Sequence, residues 1–370
     1  MKKILFILMV IIFAYSCNKK SSVTVNLING ETIYSNNVAT SCDTTFAKMN
    51  TIMDIKLADL DLNEFFPTNI IDDKIILLSY SKGEIVFLGL DGAILKRFGG
   101  TGVGPGEIKQ PQCAYQFHDT LFVVSVNTKT INKYDMEGNF LFRIHPKNIL
   151  ANEGIVINDT LFAGINKLYS RDEKGNYISN QLGVFDPNFK NVINYGDAVI
   201  SRWRKTDNLL KMYPVFTASE VTNEIAYSEL SNTKYSIVVK NISSNSSYKI
   251  YRNYAKSPLT ESEIEACFNF YKRSIPELEL NDIKNISNLA VKHLYYDKYG
   301  NLLANYSSID QPNYMILDSY KNGKFNGKLV FKDLPPLSTQ ISPEIIKFID
   351  DKIIQFNFED YIIKVFEYDY

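Results

Sequence analysis

The stretch "YQFHDTLFVVSVNTKTINKYDMEGNFLFRIH", Tyr115 to His145, holds four apolar segments separated by short polar breaks. "YQF" and "TLFVVSV" flank His118-Asp119, "TINKYD" follows Asn127 to Lys129, and "NFLFRIH" follows Glu137-Gly138. Short segments rich in β-branched and aromatic residues, bounded by Asp, Asn and Gly, read as strands joined by hairpin turns. The glycine of "DMEG" supplies the positive φ that such a turn needs. Four strands joined this way make one small antiparallel sheet, too small to bury a core alone.

The same rhythm returns along the chain. It is present as "NIIDDKIILLSY" from Asn69, "IVINDTLFAGIN" from Ile155 and "SEVTNEIAYSEL" from Ser219. It continues as "YYDKYGNLLANY" from Tyr295 and "KFIDDKIIQFNF" from Lys347. The early copies fall about 40 to 46 residues apart, close to the period of a four-stranded propeller blade. Six such units predict an all-β fold, a six-bladed β-propeller that protects its sheet edges by radial repetition. The last unit ends one strand short at "DYIIKVFEYDY", so a strand within Phe46 to Leu62 is expected to complete it. Between units four and five, Thr260 and Glu263 have the spacing of a capping box. They predict a short helical insertion running to about Arg273.

The first residues read as an export signal. Lys2 and Lys3 precede the apolar run "ILFILMVIIFAYS", which is shorter than a comfortable membrane span. The run ends in Ala14-Tyr15-Ser16-Cys17, which resembles the bacterial lipobox. That resemblance implies cleavage before Cys17 and acylation of this cysteine, which anchors the chain in a membrane. Asn18-Lys19-Lys20 follow instead of an acidic cluster, which favours an outer-membrane lipoprotein facing the periplasm of the cell envelope. The polar run after Cys17 lacks a core-forming period and reads as a tether. The domain plan is therefore 1–16 signal peptide, 17–45 lipidated cysteine and tether, and 46–370 propeller.

Composition narrows the partners. The formal net charge is −1, with 40 basic and 41 acidic residues, so nothing points to nucleic acid. Past Cys17 only Cys42, Cys113 and Cys267 remain, widely spaced. They match neither a zinc motif nor a disulfide framework, and whether two of them pair stays open.

The glycine-rich run "RFGGTGVGPGE", Arg97 to Glu107, raises the prospect of a phosphate loop. No Lys-Ser or Lys-Thr follows its glycines, and Pro105 and Pro111 keep a helix from starting there, so both nucleotide-loop patterns fail. The run from Gly92 to Phe142 instead resembles NHL-like propeller repeats. Its "GxGPGE" form, Gly102, Gly104, Pro105, Gly106 and Glu107, is similar to that of six-bladed propeller lipoproteins described as TolB-like. Later units lack this loop, so it reads as a structural junction between two blades, with Glu107 expected to cap nearby amides.

Candidate binding residues belong on the ring face that carries the crossovers between blades, since loops hold function more readily than the strands below. There we place Trp203, the only tryptophan, with Arg202 and Arg204, and the helix bearing Phe268 and Tyr271. The plainer reading has Trp203 packing on its own loop and both arginines solvated. The three histidines, His118, His145 and His293, do not converge in sequence, and only His293 is placed to face the channel. No catalytic residues and no cofactor are expected; a calcium site of Asn and Asp oxygens stays open. The first functional expectation is a non-enzymatic module for a protein, peptide or glycan. The alternative is a metal-dependent hydrolase or lyase at the channel mouth.

Overall fold

The computed structural model describes residues 21–38, 43–125, 127–146, 154–173, 175–202, 214–272, 278–284, 287–306, 314–334, 344–349, 351–358 and 360–370. Four strands come first: β1 (Ser22–Ile28), β2 (Glu31–Asn37), β3 (Thr44–Phe46) and β4 (Lys48–Lys56). Blade 1 follows as β5 (Phe65–Ile71), β6 (Lys74–Ser79), β7 (Glu84–Gly89) and β8 (Ile94–Gly99). Blade 2 is β9 (Cys113–Phe117), β10 (Thr120–Ser125), β11 (Thr130–Asp135) and β12 (Phe140–Ile144). Blade 3 is β13 (Ile155–Asn158), β14 (Leu161–Asp172), β15 (Gly175–Phe185) and β16 (Asn191–Arg202).

Blade 4 is β17 (Phe216–Ser219), β18 (Glu224–Ser228), β19 (Tyr235–Asn241) and β20 (Ser247–Arg252). Blade 5 is β21 (His293–Tyr296), β22 (Leu302–Asn305), β23 (Met315–Lys321) and β24 (Lys324–Phe331). Blade 6 is β25 (Glu344–Ile349), β26 (Lys352–Asn357) and β27 (Ile362–Asp369), with β4 as its fourth strand. The fold is a six-bladed β-propeller, as the strand rhythm predicts.

The middle strands are continuous apolar runs because neighbouring blades cover both their faces. Ile75 to Leu78 of β6 and Leu121 to Val124 of β10 are all buried. Outer strands such as β8 face water along most of their length. Hairpin chemistry follows the sequence: Gly92 and Gly138 sit at φ 84° and 81°, and Asp91 Oδ1 accepts the Ala93 amide at 3.0 Å. Rings interlock between blades. Tyr115 stacks on Phe122 with centroids 5.5 Å apart, and Phe162 and Phe189 of blade 3 close over the pair.

Ring closure uses both ends of the chain. β4 pairs antiparallel with β27 from Lys56↔Ile362 to Lys48↔Asp369, within the segment expected to supply the missing strand. The insertion between blades 4 and 5 forms α1 (Glu261–Lys272) and a second short helix, α2 (Leu280–Lys284). Among the described residues no helix is long and apolar enough to cross a membrane.

The stretch read as a tether differs from that reading. β1 and β2 form a hairpin on Asn29-Gly30, at φ 52° and 80°, and β2 then adds parallel to β20 at the outer edge of blade 4. The buried Asn36 explains the docking: its Nδ2 donates to the Gly323 carbonyl at 3.2 Å, and its Oδ1 accepts the Phe325 amide at 2.8 Å. β3 adds parallel to β24 at the edge of blade 5. Asn-Gly is a strong hairpin signal, and Val23, Val25 and Leu27 alternate with Thr24 and Asn26 on the strand before it.

Blades 4 and 5 are also joined by a buried ion pair. Arg252 of β20 meets Asp318 of β23, and the guanidinium lies over the Tyr306 ring at 4.1 Å. Tyr320 and Tyr235 share a hydroxyl hydrogen bond of 3.0 Å beside it. Burial pushes the Asp318 carboxyl above its usual range, and Arg252 opposes this. Asp318→Ala leaves Arg252 buried without its counter-charge, which costs about 3–5 kcal/mol. The exposed Lys364–Asp54 pair, 3.3 Å apart, is worth less than ~1 kcal/mol. Urea unfolding of Asp318→Ala and Lys364→Ala should separate the two by that margin.

Candidate functional site

Crossovers between blades leave an outer strand and enter the next inner strand on one face of the ring, shared with the turns between second and third strands. Three features build that face. The first is the glycine junction of blades 1 and 2. The Gly104 amide donates to Glu107 Oε2 at 2.8 Å, and Arg143 of β12 donates to the carbonyls of Val103 at 2.8 Å and Gly104 at 3.0 Å. Tyr134 and Asn132 of β11 donate to the Gly106 and Glu107 carbonyls at 2.8 and 2.9 Å. A Cβ at Gly102 would sit 1.9 Å from Glu107 Oε2 and force that carboxylate off the Gly104 amide. Blade 2 thus holds the loop by its backbone, and the loop's amides and carbonyls are largely taken by protein.

The second feature is a wing. β14 and β16 have twelve residues each, whereas β10 has six, and the paired β14–β15–β16 sheet continues past the ring. Six extra residues at about 3.3 Å each raise it ~20 Å above the crossover face. Leu168, Ser179 and Ile200 are cross-strand neighbours on one wing face, with Leu168 43 % and Ile200 40 % exposed. At its foot Asn166 is buried, and its Oδ1 meets no donor among the described residues.

The third feature is the helical insertion, held on the same face by the Ala290 amide donating to Ser231 in the turn between β18 and β19, at 2.8 Å. Glu263 does two jobs. Its Oε2 accepts the Thr260 amide at 2.8 Å, while Thr260 Oγ1 accepts the Glu263 amide at 3.3 Å, which is the reciprocal capping box. Its Oε1 pairs with Lys292 Nζ at 3.2 Å, just before β21, and Asn288 donates to Oε2 at 3.3 Å. Burial works to raise the carboxyl, but Lys292 and the Thr260 amide outweigh it and hold it below its usual range. Burial lowers the Lys292 ammonium, with Glu263 opposing.

On the inner strands, His293 of β21 stacks on Tyr295 with ring centroids 6.2 Å apart, and Lys347 of β25 reaches across to blade 1. Solvent reaches each side chain in part, yet protein crowds it on its other sides, so burial governs its proton. It lowers His293 to about 4, with Lys292 adding to the effect. It lowers Lys347 to about 8, with Cys113 opposing, and raises Cys113 to about 12. Lys347 Nζ donates to the Thr68 carbonyl at 2.6 Å; Thr68 sits at a bulge in β5, which turns that carbonyl out of the ladder.

Of the binding residues named from sequence, Phe268 is half-buried on α1, with Lys272 Nζ 5.5 Å from its ring. Trp203 and Arg204 lie outside the described residues, as do the side chains of Arg202 and Tyr271 and the whole of Cys17 and Cys42. Cys113 and Cys267 are buried and form no disulfide. His118 Nε2 donates to the Asp159 carbonyl, 2.7 Å away on the opposite ring face, and His145 is exposed just past β12. Among the described residues no group of three or more His, Cys, Asp or Glu side chains is set to hold a metal. Sequence reasoning found Glu263 but missed its partner Lys292, and it missed Lys347. A lysine inside the apolar run "EIIKFI" was the available signal.

Solved structures resemble this chain at the level of fold. A protein of Bacteroides fragilis inferred to be exported is 10 % identical with a TM-score of 0.45, over 90 % of this chain and 98 % of that one. A DUF4221-family member from Bacteroides vulgatus is 10 % identical with a TM-score of 0.46, over 87 % and 98 %. Virginiamycin B lyase from Staphylococcus aureus is 11 % identical with a TM-score of 0.39, over 87 % and 99 %. No protein-family model matches the chain, and no curated protein sequence does.

Two outcomes follow from this geometry. Gly102→Val displaces the Glu107 carboxylate from the Gly104 amide and costs roughly 1–3 kcal/mol. In a Glu107→Ala background the same change costs much less, which a double-mutant cycle by thermal unfolding will read. For His293, the unfolded imidazole takes a proton near 6.5 and the folded one near 4. Its contribution to stability is complete above the upper value and drains as pH falls through that window. His293→Gln should therefore flatten the fall of melting temperature between about pH 6.5 and about pH 4.

Proposed function

We propose that this chain is a lipid-anchored propeller of the bacterial cell envelope, of the TolB-like kind, that binds a protein, peptide or glycan without performing chemistry. The observation that carries the reading is the asymmetry of the ring: one face bears both the wing and the pinned helix. A raised sheet with exposed Leu168 and Ile200 beside polar Ser179 offers apolar anchors and hydrogen-bonding groups together. The Glu263–Lys292 pair pins the helical insertion on the same face, which lowers the cost of ordering it on binding. The lipobox ending in Cys17 supports the anchor, and Asn18-Lys19-Lys20 support the periplasmic side of the outer membrane.

Leu168→Asp combined with Ile200→Asp should keep the melting temperature and abolish capture of a partner from envelope extract or a glycan array. Loss of no partner would remove the wing from the site. A tightly held stoichiometric metal, whose removal ends a hydrolase or lyase activity and leaves the fold intact, would overturn the non-enzymatic reading. Cys17→Ser should move the protein from the membrane fraction to the soluble one.

A further inference from the structure

We propose that the propeller stands edge-on to the membrane, with the rim of blade 4 laid against lipid through β1. This rests on acylation of Cys17, and it adds which surface of the ring touches the bilayer. Cys17 is five residues from Ser22, the first residue of β1. Five residues reach at most about 18 Å when fully extended. β1 is the outermost strand of the six-stranded sheet of blade 4. At about 4.8 Å per strand that sheet is ~24 Å deep from β1 to β17, so the anchor cannot reach the channel mouth. A flat approach of the crossover face is blocked next door, where the wing of blade 3 rises ~20 Å. The rim is what the tether brings to the surface.

The rim has the chemistry of a lipid-facing surface. Val25 is 51 % exposed, Leu27 74 % and Ile28 51 %, all on a strand whose far edge has no partner strand among the described residues. Val25 is the register partner of Tyr34, and the Tyr34 ring closes on Gly323, where a Cβ would lie 2.4 Å from it. That contact sets the exposed Lys321 and Lys324 of the β23–β24 turn beside the apolar strand. Along the same rim Phe46 of β3 is 53 % exposed, with Lys332 Nζ 4.2 Å from its ring. Exposed apolar side chains flanked by lysines suit the boundary between acyl chains and anionic headgroups. Edge-on, the channel mouth and the wing open sideways, free of the bilayer.

The acylated chain, in a Trp203→Phe background, would carry one reporter each at Leu27→Trp, Leu95→Trp or Leu168→Trp. Leu95 is exposed on β8 of blade 1, across the ring from blade 4. The probe is a vesicle of phosphatidylethanolamine and phosphatidylglycerol with brominated acyl chains, which quench indole on contact. Expected is strong loss of emission from Leu27→Trp and none from the other two. Quenching of Leu168→Trp, or equal emission from all three with the protein on the vesicles, overturns the edge-on placement. Mass analysis of the Cys17 peptide separates the causes: an unmodified cysteine sinks the anchor and this orientation together, whereas a lipidated one with silent Leu27→Trp sinks the orientation alone.

Discussion

A blade of four strands cannot stay folded alone, because both its faces are apolar and each needs a neighbour. The ring removes that problem only when its last blade is whole, and the ladder between β4 and β27 makes it whole. That pairing ties together segments from near both ends of the chain, so opening the ring anywhere exposes two apolar sheet faces at once. The bulge between Val365 and Phe366 is the only register shift in the ladder. Elsewhere its pairing is regular, and Met53, Val365 and Ile363 carry the closure into the core shared with blade 1.

The same N-terminal stretch does more than close the ring. β2 and β3 extend blades 4 and 5 before β4 completes blade 6, so the chain runs along the outer rim of three consecutive blades. Asn36 stitches β2 to the β23–β24 turn, and Asn253 Oδ1 accepts the Val38 amide at 2.8 Å. Edges that would otherwise offer unpaired backbone groups are covered by the chain itself. Rigidity on the crossover face has a similar origin. The glycine junction is held by Arg143, Asn132 and Tyr134 from blade 2, and α1 by Lys292 from blade 5. In both, a side chain from one blade satisfies backbone or charge from the segment that precedes or covers it.

Legibility was uneven for physical reasons. Strands of the blades announced themselves because burial on both faces demands continuous apolar runs, as in "KIILLS" and "TLFVVS". The capping box at Thr260 and Glu263 was local, three residues apart, and could be read directly. The β1–β2 hairpin was missed, although Asn29-Gly30 marked it and Val23, Val25 and Leu27 alternate with Thr24 and Asn26, since these short strands lack the continuous apolar runs of the blades. The excess length of β14 to β16 was equally silent, because strands beyond the ring have no core to record. Lys292 gave no local signal, and Lys347 only that of a lysine inside an apolar strand, since what defines both is a partner on another element.

The sequence by itself determined the repeat, the number of blades, the turns, the helical insertion and the segment that closes the ring. Each depends on residues within a few positions or on a pattern of burial that recurs in every copy. Only the tertiary structure decided that Glu263 meets Lys292, that Lys347 caps the Thr68 carbonyl, and that the first strands dress the rim of blades 4 and 5. Those contacts join residues distant in sequence, and their energy depends on geometry that appears only once the blades are packed around one axis.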